Sequence, residues 1–108
     1  MTVSEFASKN NLSVLSLPEG EREITGAYVG DLLSWVMGKA TAGDAWVTIM
    51  SNQNVAAVAA LTDVACVIFA EGVKPESAVI ETAAAKGINL LSCEADAYSI
   101  CCTLSKCL

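Results

Sequence analysis

The 108-residue sequence contains no histidine, and this absence narrows the chemistry that the chain can perform. Histidine is the commonest general base near neutral pH, completes the usual serine and cysteine triads, and contributes to most zinc sites. The sequence also lacks the Gly-x-x-x-x-Gly-Lys-Ser/Thr loop and the Gly-x-Gly-x-x-Gly turn, which bind nucleotide phosphates. We therefore expect neither an enzyme nor a bound cofactor or metal, and least of all a nucleotide phosphotransferase.

Basic residues are also few, since the chain has only six lysines and arginines against twelve acids, and a net charge of −6. The six basic residues are scattered singly, so we expect neither nucleic acid nor an anionic membrane as a partner. Charged residues make up only 17% of the chain. So low a fraction suggests that a second subunit covers part of the apolar surface, and a homodimer is the commonest such assembly.

The sequence has neither an apolar run of the ~20 residues needed to span a membrane nor an apolar N-terminal signal segment. It contains five cysteines. Without an export signal, these cysteines are expected to be reduced thiols rather than a disulfide framework. We therefore expect a cytoplasmic protein.

The segment from Asp44 to Pro75 organises the chain. Two short runs, Ala45–Met50 and Ala65–Ala70, are rich in β-branched and aromatic residues and fit strands that are covered on both faces. The alanine-rich stretch Val55–Leu61 between them favours a helix. This βαβ order predicts a single α/β domain over residues 1–108, with three layers and a mainly parallel central sheet.

Local signals predict the flanking elements. Thr2 and Glu5 have the spacing of a helix capping box, and the alternation over Leu12–Leu17 is typical of a half-buried strand. This first helix and strand could form a small separate layer. Asp31 and Asp96 are predicted to cap the second and last helices. Further predictions are a strand over Ile24–Val29, with Gly26 at a bulge or close approach, an apolar helix face of Leu32, Leu33, Val36 and Met37, Pro75 at the first position of a helix, and Gly87 just past its end.

Polar residues follow both central strands, at the strand ends where open α/β sheets bind ligands. A free helix N-terminus with side-chain amides can bind a carboxylate or a phosphate. Plain N-capping by Asn or Ser is the other interpretation of this polar run, and a structural turn is the other interpretation of Gly72. The candidate ligand-binding residues are Ser51, Asn52, Asn54, Glu71, Gly72 and Lys74.

Two other groups of residues are candidates for chemistry. Cys93, Cys101, Cys102 and Cys107 could hold a soft metal or an iron–sulfur cluster, but no Cys-x-x-Cys pair occurs, so small buried side chains are the competing interpretation. Glu94 and Asp96 could act as an acid–base pair, whereas one helix cap and one surface carboxylate explain them equally.

Several segments together resemble the DRTGG domain family, especially its short stand-alone bacterial members. The resemblance covers nearly the whole chain. Two segments depart from the family pattern: Ala70-Glu71-Gly72 replaces the usual Thr-Gly-Gly or Asn-Gly, and Asn52 stands where short members often carry a histidine. The segments that carry the resemblance are Ile24–Ser34, Trp46–Ile49, Asn54–Ala59, Glu71–Pro75 and Gly87-Ile88.

The resemblance implies an α/β domain similar to the amino-terminal domain of HPr kinase/phosphatase, and a regulatory or ligand-sensing role. On this basis we expect a non-catalytic domain that binds a small polar or anionic metabolite. The alternative is a structural adaptor in a hydrogenase-associated redox assembly or a kinase assembly, which would need an exposed apolar patch. A metal- or iron–sulfur-binding protein is the third hypothesis.

Overall fold

A computed structural model describes all 108 residues of the chain. It contains five helices and five strands. Along the chain these are α1 (Val3–Lys9), β1 (Ser13–Ser16), β2 (Gly26–Val29), α2 (Leu33–Lys39), β3 (Asp44–Thr48), α3 (Asn54–Thr62), β4 (Cys66–Phe69), α4 (Ser77–Ala85), β5 (Leu90–Ser92) and α5 (Ala97–Cys107).

The strands form one sheet in the order β1-β5-β4-β3-β2. Strands β2, β3, β4 and β5 are parallel, which confirms the predicted α/β class. Strand β1 runs antiparallel to β5, with Ser13 opposite Ser92. The first strand therefore extends the main sheet, and the suggestion that it forms a separate layer was wrong.

Helices cover both faces of the sheet. Helices α1 and α5 pack on one face, around Phe6 and Leu104. Helices α2, α3 and α4 pack on the other face, around Trp46 and Phe69. Strands β3 and β4 are buried along their whole length, which explains their continuous apolar composition. None of the five helices is both long and apolar enough to cross a lipid bilayer.

The sequence predicted the residues at five helix ends, and the structure confirms three of these predictions. Thr2 and Glu5 form both hydrogen bonds of a capping box at α1. The Asp96 side chain accepts a hydrogen bond from the Ser99 N–H at the start of α5. Gly87 lies just past the end of α4 with φ of 76°. Pro75 differs, because it precedes the N-cap residue of α4 rather than opening the helix.

The fifth helix end, at α2, contradicts the expectation that Asp31 is its cap. Helix α2 follows Leu32 and has no side-chain cap. Asp31 instead accepts hydrogen bonds from residues at the end of β3. The predicted apolar face is also only partly buried, since Val36 is fully enclosed whereas Met37 is half exposed.

Candidate functional site

The carboxyl end of β3 is fixed by the Asp31 carboxylate. The Thr48 hydroxyl donates a hydrogen bond of 2.8 Å to Asp31 Oδ1, and the Ile49 N–H donates one of 2.9 Å to the same oxygen. The Thr48 hydroxyl oxygen in turn accepts from the Met50 N–H at 3.1 Å. These bonds set the direction in which the chain leaves the sheet toward the polar segment at residues 51–54.

The polar segment turns into α3 through the Asn52 side chain. Asn52 Oδ1 accepts a hydrogen bond from the Asn54 N–H at 2.9 Å, and the Asn52 carbonyl accepts from the Val55 N–H at 3.2 Å. This is the local side-chain turn that competes with ligand binding for the same N–H groups. Asn52 therefore forms a local turn just before α3, whose N-cap residue is Gln53 and which has no side-chain cap. The side-chain amide nitrogen of Asn52 has only a long contact of 3.9 Å with the Met50 sulfur.

A polar groove lies between the start of α3 and the loop that leads into α4. It has a volume of about 520 Å³. A second hollow of about 310 Å³ adjoins it and extends along α4. The two volumes fall within the range of small-molecule sites. The groove is lined by Ser51, Asn52, Gln53, Lys74, Glu76 and Val79, and the hollow by Gln53, Asn54, Ala78, Val79, Thr82 and Lys86.

The groove and the hollow together are lined by two lysines and one acid, whereas acids outnumber bases in the chain as a whole. Lys74 lines the groove and Lys86 lines the adjoining hollow, and none of the five lysines in the chain forms an ion pair with a carboxylate within 4.0 Å. Glu76 is the one acid in the lining. The amino end of α3 also opens here and adds the partial positive charge of a helix N-terminus. The groove can therefore attract an anion, although the protein carries a net charge of −6.

Glu71 and Gly72 lie outside the groove, on the side of the sheet that α5 covers. The Glu71 N–H donates to the Ala95 carbonyl and the Gly72 N–H to the Cys93 carbonyl, both at 2.8 Å. Glu71 borders a separate hollow of about 220 Å³ together with Asp31. The two residues thus form a turn that ties the end of β4 to the loop before α5.

Gly72 is required by this turn. Its φ is 71°, and a Cβ atom at this position would lie 2.6 Å from Glu94 Oε2. The structural interpretation of Gly72 is therefore sufficient to explain the residue.

The six sequence-predicted residues are thus divided among three places. Ser51, Asn52 and Lys74 come together in the groove, and Asn54 lies in the adjoining hollow. The sequence reasoning missed Gln53, Glu76 and Lys86. The predicted order of consecutive βαβ units was the available signal, because it places α3 and α4 side by side on one face.

The five cysteines are free thiols that lie at separate places in the fold and not in one cluster. Burial raises the pKa of the Cys66 thiol to about 12, and burial also raises the pKa of the Cys93 and Cys101 thiols. Cys93, Cys101 and Cys107 pack against the core beneath α1 and α5. Across the whole chain, no three Cys, Asp or Glu side chains lie together as ligands for a metal ion. For Cys93, Cys101 and Cys107 this packing matches the interpretation as small apolar side chains.

Comparison with known proteins identifies the family of the chain and a solved structure with a similar fold. The family model of the DRTGG domain matches residues 26–107. Among solved structures, the chain is similar to the CBS and DRTGG domains of the regulatory region of Clostridium perfringens pyrophosphatase, crystallised with the activator diadenosine tetraphosphate. The TM-score is 0.70 at 14% identity, over 91% of this chain and 43% of that one, so this chain spans less than half of the similar structure. No curated protein matches the sequence.

Proposed function

This chain belongs to the DRTGG domain family, as its sequence suggested, and we propose that it is a non-catalytic sensor of a small anionic metabolite. In the similar pyrophosphatase the DRTGG domain is part of a regulatory region. In this proposal residues 1–108 form one functional unit, which acts as a homodimer. The ligand lies in the groove between α3 and α4, against Ser51, Asn52 and Lys74.

The observation that carries the proposal is the presence of two lysines, Lys74 in the groove and Lys86 in the hollow that adjoins it. Lys74 and Lys86 are two of only six basic residues in the chain. The two linings together contain a single acid, Glu76, although acids outnumber bases twofold in the whole chain. A groove that keeps two unpaired ammonium groups beside a helix N-terminus is suited to an anion with several negative charges.

The similar pyrophosphatase region was crystallised with diadenosine tetraphosphate, a ligand that carries a chain of phosphates. A nucleotide or another phosphate ester would place its phosphates near Lys74 and Lys86 in this chain. The groove wall also offers the Ser51 hydroxyl and the Gln53 amide as neutral hydrogen-bond partners.

A ligand regulates through such a site only if it binds one conformation or assembly more tightly than another. The groove lies between two segments, the turn before α3 and the loop before α4. A ligand that contacts both favours the arrangement in which they are close. The metabolite thereby biases the surface that these elements present to the rest of an assembly.

The test is a calorimetric titration of the 108-residue protein with diadenosine tetraphosphate, and with ATP and citrate as anions of other shape. The double variant Lys74→Gln, Lys86→Gln removes both positive charges from the groove. An exposed ion pair contributes up to about 1 kcal/mol, so the double variant is expected to bind a phosphate ligand roughly tenfold more weakly. The wild-type affinity should also fall as salt is added.

Lys106→Gln is the matched control, because this lysine lies in the last turn of α5 on the opposite face of the sheet. The control should bind like the wild type. If the double variant and the control bind equally well, the anion does not lie in the groove. If none of the three anions binds to the wild type, the proposed ligand class is wrong.

A further inference from the structure

The groove and the hollow that adjoins it share two lining residues, Gln53 and Val79, and we call the two parts together the α3–α4 channel. Each part of the channel has its own lysine. Lys74 lines only the groove, and Lys86 lines only the hollow. A ligand with one anionic group therefore contacts one lysine. Contact with both requires linked anionic groups that extend past Gln53.

The groove is the end of the channel that attracts the first anionic group. The N-cap residues of α3 and α4, which are Gln53 and Glu76, both line it, and neither helix has a side-chain cap. The partial positive charges of two helix N-termini therefore act here together with the Lys74 ammonium group. The Glu76 carboxylate, the single acid in the lining of the channel, opposes them.

The hollow continues from this end along α4. Ala78, Thr82 and Lys86 line it at a spacing of four residues, so they form one row on the helix. The row rises about 12 Å along the helix axis. Lys86 is the C-cap residue of α4, where its charge is partly offset by the partial negative charge of the helix C-terminus. The hollow is therefore suited to extend a ligand already held in the groove, and less suited to hold a separate anion.

The walls of the channel offer little to a nucleobase. None of the residues that line its two parts is aromatic, and only Ala78 and Val79 are apolar. Bases are held in proteins by stacking on aromatic side chains or within largely apolar pockets. The lining supplies instead a hydroxyl group from Ser51 and amide groups from Gln53 and Asn54, which are neutral donors for phosphate oxygens.

We infer that the α3–α4 channel recognises a chain of linked phosphates by its length and does not recognise the group to which the chain is attached. The first phosphate lies in the groove at Lys74, and later phosphates lie in the hollow at Lys86. This inference rests on the proposed function, because it places the ligand in the same groove. It narrows the ligand class from small anions in general to polyphosphate chains, either free or as part of a nucleotide.

Amide NMR spectra of the isotope-labelled protein test the inference, because they report where a weak ligand binds as well as how tightly. Orthophosphate, pyrophosphate and tripolyphosphate are titrated at constant ionic strength, as probes of increasing length. Orthophosphate is expected to shift the amide signals of Ser51 and Lys74. Tripolyphosphate is expected to shift those of Thr82 and Lys86 as well, and to bind more tightly.

Single variants separate the two ends of the channel. Lys74→Gln should weaken the binding of every phosphate by about threefold, as expected for one exposed charge pair. The loss caused by Lys86→Gln should grow with the length of the chain, to about threefold for tripolyphosphate. Glu76→Gln removes the opposing charge and should strengthen the binding of every phosphate. Lys106→Gln on α5 is the matched control and should change none of these affinities.

ATP and adenosine test whether the attached group is recognised. ATP carries the same length of chain as tripolyphosphate and should bind within about threefold of it, whereas adenosine should not bind. If ATP binds more than about tenfold more tightly than tripolyphosphate, or if adenosine shifts signals of the channel, the base is recognised and the inference is wrong.

Other outcomes separate the inference from the proposed function. If all three phosphates shift the same signals, and Lys86→Gln weakens them equally, the channel does not distinguish length, and only the proposed anion sensor stands. The same conclusion follows if citrate shifts the signals of the groove and no phosphate does. If neither citrate nor any phosphate shifts a signal of the channel, both the inference and the proposed function are wrong.

Discussion

The position of Asp31 makes a sharp prediction, because the sequence and the structure assign this residue different partners. The sequence places it where a helix cap would stand, whereas the structure directs its carboxylate to Thr48 and Ile49 at the end of β3. Serine serves as well as aspartate at a helix N-cap. The serine side chain is shorter than that of aspartate, however, and cannot reach Thr48 and Ile49 at the end of β3. Asp31→Ser, Asp31→Ala and Asp31→Asn therefore distinguish the two roles.

The expected loss of stability follows from the burial of the two donors. Thr48 is 2% exposed in the fold, and its hydroxyl donates to the Asp31 carboxylate, a charged partner that the variants remove. Ile49 is 48% exposed, so its N–H can be hydrated. One orphaned buried donor costs about 1–3 kcal/mol, and an exposed one costs little. We expect Asp31→Ala and Asp31→Ser each to lose about 2 kcal/mol, and Asp31→Asn, which keeps an acceptor oxygen, less than about 1 kcal/mol.

Thermal and urea unfolding, followed by circular dichroism, measure these differences. For a domain of this size about 2 kcal/mol lowers Tm by about 8 °C or more. The dependence of the unfolding free energy on urea should not change, because the folded core is the same in all variants. If Asp31→Ser is as stable as the wild type while Asp31→Ala is not, Asp31 is a helix cap and the described hydrogen bonds are not the ones that matter.

Two further predictions concern single contacts. Gly72→Ala should lower the unfolding free energy by about 1–2 kcal/mol, because a φ of 71° strains an alanine backbone. Adding Glu94→Ala removes the contact with the Glu94 carboxylate and should restore only the smaller share of this loss. Thermal unfolding measures both variants, and full recovery in the double variant would show that the backbone is not strained. The hydrogen bond and charge of Arg22 lower the pKa of Asp63. A carboxyl with a lowered folded pKa stabilises the fold above its unfolded pKa of about 3.9, and this contribution is lost as pH falls through the folded value. Urea unfolding from neutral to acid pH should therefore show a steeper loss for the wild type than for Arg22→Ala, and parallel curves would refute the role of the pair.

The elements that the sequence predicted well are those whose signals are local. The capping box of Thr2 and Glu5 and the cap at Asp96 each join residues three apart, so their spacing alone specifies the contact. Asp31 bonds to residues 17 and 18 positions away. That contact exists because β2 and β3 are parallel neighbours whose ends coincide, and pairing of this kind is not visible in a local pattern. The same limit applies to β1, whose partner β5 lies at the other end of the chain.

The candidate site was predicted in part for a related reason. The rule that ligands collect at strand ends brought Ser51, Asn52 and Lys74 to one groove. It does not say on which face of the sheet a side chain lies, and the chain crosses from one face to the other between Glu71 and Lys74. Glu71 is held toward α5 by its bond to Ala95, whereas Lys74 reaches the face that α3 and α4 cover. Only the tertiary hydrogen bonds of the turn determine where this crossing occurs.

Helix α2 shows what periodicity can and cannot establish. Apolar residues at Leu32, Leu33, Val36 and Met37 indicate an apolar face, and nothing in the local pattern tells which neighbour covers it. In the fold α2 connects the edge strand β2 to β3 and packs against the helix α3. Val36 is consequently buried, and Leu32 and Trp35 remain exposed. The low charge of the chain suggested that part of its apolar surface is covered, and the fold leaves apolar side chains of α2 exposed, a placement that follows from the packing of the helix and is not visible in its periodicity.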